Sequence, residues 1–180
     1  MFTMRKYEIL GFFTISIISI ALAILFWALP STYILDGIGP TTDSLWQIGK
    51  LMFISVLIYA IIEFTVFGRE FDNFIFAKSA TLFIAPLIYI GASYLLDVGM
   101  GSATVNNHII TYALAVSIGQ YASFYILRNG YYFRLMNAYA VFGILIMMAF
   151  FIGFNQIVDR FDAPIFRSMK NYQSFIRYQQ

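Results

Sequence analysis

Five stretches of the chain, at about positions 7–29, 45–67, 74–96, 108–128 and 136–155, are each apolar over the roughly 20 residues that a helix needs to cross about 30 Å of hydrocarbon. No other feature restricts the fold as much. Hydrocarbon offers no hydrogen-bond partners, so each stretch must satisfy its own backbone, which a helix does and an open strand does not. The expected fold class is therefore all-α, a polytopic membrane helix bundle of about five transmembrane helices, with residues 1–180 forming a single transmembrane domain. Composition agrees: 11% of residues are charged, against about a quarter in a soluble domain. Arg5-Lys6 followed by an apolar run resembles a secretory signal. The run is too long, however, and Ala28-Leu29-Pro30 is a poor cleavage site, so it reads as a retained first helix.

The connections carry turn chemistry: Asp36-Gly37 and Gly39-Pro40 in the first, Gly99 and Gly101 in the third, Asn129-Gly130 in the fourth. Their charges suggest an orientation, since cytoplasmic loops are enriched in Lys and Arg. Arg5 and Lys6 precede the first segment, Arg69 and Lys78 flank the second connection, and Arg128 and Arg134 flank the fourth, whereas the first and third contain neither residue type. The N-terminus is expected in the cytoplasm. Asp36, Asp43 and Asp97 then face outward, and so does the C-terminus after an odd number of crossings. The basic tail, with Arg160, Arg167, Lys170 and Arg177, runs against this trend. Within it, Asp162 and Pro164 suit a helix start, and Ile165, Met169, Tyr172 and Ile176 recur at helical spacing opposite the cations. An amphipathic helix at about 163–178, lying among lipid headgroups, is one reading; a solvated tail is the other.

Several function classes fall away. A net charge of +2, with basic residues at segment ends, gives no footprint for nucleic acid. The chain has no Cys and its single histidine is His108, so thiolate sites and a multi-histidine metal or haem site within one chain are excluded. No cofactor or metal is expected. Without a G-x-S-x-G, an H-E-x-x-H or a phosphate loop, no catalytic residue is assigned.

What remains is polar residues inside apolar segments. Asp43, Gln47 and Lys50 stand at i, i+4 and i+7 on one face at the start of the second segment, beside Trp46. They form either a binding stripe, with Asp43 the nearest sequence partner for Lys50, or an ordinary helix end with a capping Asp43, a snorkelling Lys50 and an interfacial Trp46. Glu63 and Lys78 lie at similar depth across the short second connection, which predicts a structural ion pair. In the fourth segment His108, Tyr112, Ala115, Gly119 and Ala122 fall within about 80° of one another, so His108 shares a face with the small-xxx-small pair Ala115 and Gly119. Gln120 reads as interhelical glue. Pro86 is expected to kink the third segment. Under the proposed topology Asp43, Trp46, Gln47 and Lys50 share a depth with His108, and these five are the candidate binding residues of an outer polar mouth.

The run G-P-T-T-D-S-L-W-Q-I-G-K, from Gly39 to Lys50, resembles an S-P-x-N-E-S-x-W-E-H-x-K motif, matching at Pro40, Ser44, Trp46 and Lys50. Ile61-Ile62-Glu63-Phe64, Asn73-Phe74, Ala77-Lys78, His108, Gln120-Tyr121-Ala122-Ser123 and Pro164-Ile165-Phe166-Arg167 extend the likeness. The pattern is that of a bacterial family of small five-helix membrane proteins carrying a domain of unknown function. The resemblance implies a bacterial inner-membrane location and supplies no activity. Gln47 and Ile48 replace the family's glutamate and histidine, and Asp43 stands where a glutamate is usual.

The functional expectation is a non-enzymatic protein that binds membrane lipid, a small solute or a partner protein, or a second copy of itself, at its outer polar face. The alternatives are an intramembrane enzyme acting on lipid-linked substrates, with Asp43 and His108 as acid and base, and a transporter subunit.

Overall fold

The computed structural model describes residues 2–30, 32–102, 104–130, 135–158 and 164–166. Among them it is all-helical, with no strand. The helices are α1 (Phe2–Ala28), α2 (Tyr33–Ile38), α3 (Leu45–Val66), α4 (Phe74–Tyr94), α5 (Val105–Asn129) and α6 (Met136–Val158). Five of them, all but the six-residue α2, are long and apolar enough to cross a membrane. Of the tail at 163–178 only Pro164–Phe166, a 3-10 turn, is described, so the amphipathic helix expected there lies outside the described residues.

Local chemistry sets the helix ends. Ser44 caps α3, its hydroxyl accepting from the Gln47 amide at 3.3 Å, a task the sequence also offers to Asp43. Thr104 does the same for α5 through the Asn107 amide, which is why α5 begins three residues before His108. Gly130, at φ 63°, takes the left-handed conformation that ends α5. Pro86, where the sequence predicts a kink, lies buried inside α4, and the helix continues through it to Tyr94. Irregular backbone comes later, as a π-helical turn at Leu95–Gly99 that prolongs the third span and carries Asp97.

Helix α4 is central and packs against α3, α5 and α6; α1 lies across α3 and α5, and α2 rests on α6 and α3. A close approach joins α4 to α5, where a Cβ on Gly119 would stand 3.0 Å from Thr81 Cγ2 and 3.2 Å from Ala85 Cβ. The Thr81 hydroxyl donates to the Gly119 carbonyl across that contact at 2.9 Å. The small-residue face that includes Ala115 is thus the face that meets α4.

Outside and inside are both apolar, as a bilayer solvent allows. Ile9, Phe13, Ile17, Ile20 and Ile24 of α1 and Phe142, Leu145 and Ile146 of α6 are exposed. Ile15, Met52, Phe53, Val56, Leu82 and Val116 fill the centre. The ionisable groups go inward: Glu8, Lys50, Glu63, Lys78, Asp97 and His108 are all buried. Lipid solvates a charge worse than a partnered interior does, so this distribution is the one a membrane selects.

Candidate functional site

The buried ionisable residues gather at two ends of the bundle. At the near end α1 starts, α3 finishes, α4 starts and α5 finishes; at the far end the directions are reversed.

The near end is built by a short hairpin. After α3 the chain turns through Gly68–Glu70, where a Cβ on Gly68 would meet the Phe74 ring at 2.9 Å, and enters α4. The Asn73 side-chain amide donates to the Ile126 carbonyl at 2.8 Å, which ties the start of α4 to the last turns of α5. Lys78 follows one turn later and reaches two carboxylates. Its Nζ lies 2.6 Å from Glu63 Oε2 on α3 and 2.8 Å from Glu8 Oε1 on α1. The Ser123 hydroxyl of α5 donates to the same Glu8 oxygen at 2.9 Å. The rings of Tyr59 and Phe74 stand 5.8 and 5.7 Å from the ammonium. Four helices therefore converge on one cation. Glu8 Oε2 and Glu63 Oε1 are buried and have no hydrogen-bond partner among the described residues. One turn before Ser123 on α5, Gln120 packs where a Cβ on Gly11 would collide with its Nε2, and both its amide atoms are likewise unpartnered among those residues.

A layer of Ile15, Val56, Leu82, Ala85 and Ala115 separates this cluster from the far end. There, the Ser19 and Tyr112 hydroxyls bond each other, and Tyr112 meets Tyr89 edge-on with ring centroids 6.0 Å apart. Tyr89 also neighbours His108 at 6.5 Å between centroids. His108 Nε2 is 3.3 Å from Asp97 Oδ1, a contact made possible by the π turn.

On the other flank Lys50, at 0% exposure, is fully buried instead of snorkelling. Its Nζ donates to the Asp36 and Gly37 carbonyls at 3.0 and 3.4 Å. These belong to the last turn of α2, whose carbonyls have no intrahelical partners and whose dipole end attracts a cation. Trp46 is buried as well, ringed by Phe150, Phe151 and Phe154 of α6 and by Phe166, with centroids 4.9–5.9 Å away. Gln47 is buried and Asp43 half-buried in the turn before Ser44. A pocket of about 210 Å³ opens beside α2, lined by Phe26, Trp27, Leu29, Pro30, Asp36, Pro40 and Thr41. Among the described residues of that lining, Asp36 carries the charge, and it also acts on the nearby Lys50 ammonium.

Of the candidate residues, Lys78 and Glu63 are in direct contact, Lys50 is held by α2, and His108 is held by Asp97 and Tyr89. Sequence reasoning missed Glu8 as the second carboxylate on Lys78. A signal existed, because Glu8, Gly11, Ile15 and Ser19 recur at helical spacing and make the buried stripe of α1. Asp97 was expected in an outward loop after Leu96, since Gly99 and Gly101 mark a turn; the added π turn moves it into the interior.

No protein-family model matches the chain, and neither does any curated protein or solved structure.

Proposed function

We propose that this chain is a non-enzymatic, multi-pass protein of a bacterial inner membrane that binds a zwitterionic phospholipid by its ammonium headgroup at the far end of the bundle. The pocket beside α2 carries this reading. Its lining combines one carboxylate, Asp36, with the aromatic rings of Phe26 and Trp27 and the hydroxyl of Thr41. Carboxylate and aromatic faces together suit an alkylammonium group. The exposed apolar stripe of Ile17, Ile20, Ile24 and Trp27 runs along α1 to the pocket and offers acyl chains a continuous surface. Lys50, fixed on the carbonyls of α2, holds Asp36 in the wall. In this reading the N-terminus is cytoplasmic and the C-terminus outside, so the pocket opens in the outer leaflet. Arg69 and Arg128 at the near end support that orientation.

Native mass spectrometry of the protein released from bilayers of mixed ethanolamine and glycerol phospholipids tests the reading. The ethanolamine lipid should be retained preferentially, and Asp36→Asn and Trp27→Ala should each reduce retention about tenfold, a loss of ~1.4 kcal/mol. Equal retention of the anionic lipid, or variants that bind as the parent does, would remove the proposal. Reporter fusions at Gly37 and Asn129 test the orientation, with Gly37 outside and Asn129 inside.

A further inference from the structure

We infer that Glu8 and Glu63 hold one proton between them, so that the near-end cluster is a proton-binding site inside the bundle. Its basis is separate from the lipid pocket. Around Lys78, α1 contributes Glu8, α3 contributes Glu63 and Tyr59, and α5 contributes Ser123; Gln120 of α5 packs against Gly11 of α1, and from α6, Asn137 bonds the Asp72 carbonyl outside the cluster. Among these groups two carboxylates face one ammonium. If both were ionised, the cluster would carry an uncompensated negative charge among residues at most 6% exposed. A low-dielectric interior penalises that state heavily, and a carboxyl group escapes the penalty by taking a proton from water.

The geometry marks where that proton would reside. Lys78 uses one oxygen of each carboxylate, leaving Glu8 Oε2 and Glu63 Oε1 buried and unpartnered among the described residues. Such oxygens are expensive as bare acceptors. Protonation turns one of them into a donor and removes its charge. A metal cation is a poor substitute, because the ammonium already sits between the carboxylates at 2.6 and 2.8 Å and would repel it. With one proton bound the cluster is neutral: one carboxylate pairs with Lys78, and the other is a neutral acid. Loss of the proton sets two anions against each other between α1 and α3, so occupancy is coupled to how closely those helices pack.

The chain contains three glutamates, Glu8, Glu63 and Glu70, and Glu70 is exposed on the turn between α3 and α4. Full-length protein carrying carboxyl-¹³C glutamate, reconstituted in bilayers at pH 7, can therefore be read by infrared spectroscopy with little overlap. One protonated carboxyl of the three is expected. It should persist in Glu70→Gln and vanish in both Glu8→Gln and Glu63→Gln, since a single remaining carboxylate pairs with Lys78 and ionises. Should either cluster variant fail to fold, the Glu70→Gln spectrum decides alone, because its remaining labelled glutamates are Glu8 and Glu63. Three ionised carboxylates in the parent, or a protonated signal that survives in Glu8→Gln and Glu63→Gln, would overturn the inference.

Discussion

The two ends of the bundle accommodate their buried ionisable groups by different means. At the near end side chains neutralise one another: Lys78 binds Glu63 and Glu8, and Ser123 adds a hydroxyl to Glu8. At the far end backbone does much of the work: Lys50 is held by the final carbonyls of α2, and Asp97 is brought to His108 by a π turn of α4. The difference concerns what is left behind when one member is lost. A carboxylate stranded at the buried near end has no water to turn to, whereas the carbonyls of α2 adjoin a pocket that admits it. The near end is accordingly a lock between helices, and the far end a support beneath a surface.

This contrast orders the effects of substitution. Lys78→Met should be the most damaging change, costing about 3–5 kcal/mol in an unfolding equilibrium in mixed micelles, because it takes the cation from the buried carboxyl groups of Glu8 and Glu63. Lys50→Met removes an equally buried ammonium but should cost only about 1.5–3 kcal/mol, the range for a hydrogen bond to a charged group. A loss at Lys50 equal to that at Lys78 would break the comparison. Smaller still, Ser44→Ala should cost about 1 kcal/mol by removing the cap of α3. That variant calibrates the far end, since it perturbs the start of α3 without touching a charge. If it proves as costly as Lys50→Met, the ammonium contributes little beyond ordinary helix-end chemistry.

Much of this arrangement is legible in the chain, and the remainder is not for physical reasons. The five spans follow from run length alone, since bilayer thickness fixes how long an apolar helix must be. The contact of Glu63 with Lys78 follows from a connection too short to let their depths differ. Glu8 is harder to read because it lies 70 residues from Lys78, and only the packing of α1 across α3 and α5 brings it in. The partner of Lys50 is hidden for another reason: α2 has six residues, too few for a periodic signal, and it offers carbonyls that no side-chain pattern announces. Trp46 looks interfacial by type and position, yet the aromatic residues near the end of α6 enclose it. Ser44 and Asp43 are both good caps by composition, and geometry selects the serine.

The central claim is that Glu8, Lys78 and Glu63 act as one unit holding α1, α3 and α4 together. Unfolding free energies of Lys78→Met, Glu63→Gln and Glu8→Gln, alone and combined, test it most directly. The account predicts that adding Glu63→Gln and Glu8→Gln to Lys78→Met restores stability, so the triple variant unfolds later than Lys78→Met alone. Losses that simply add from single to triple variant would contradict it.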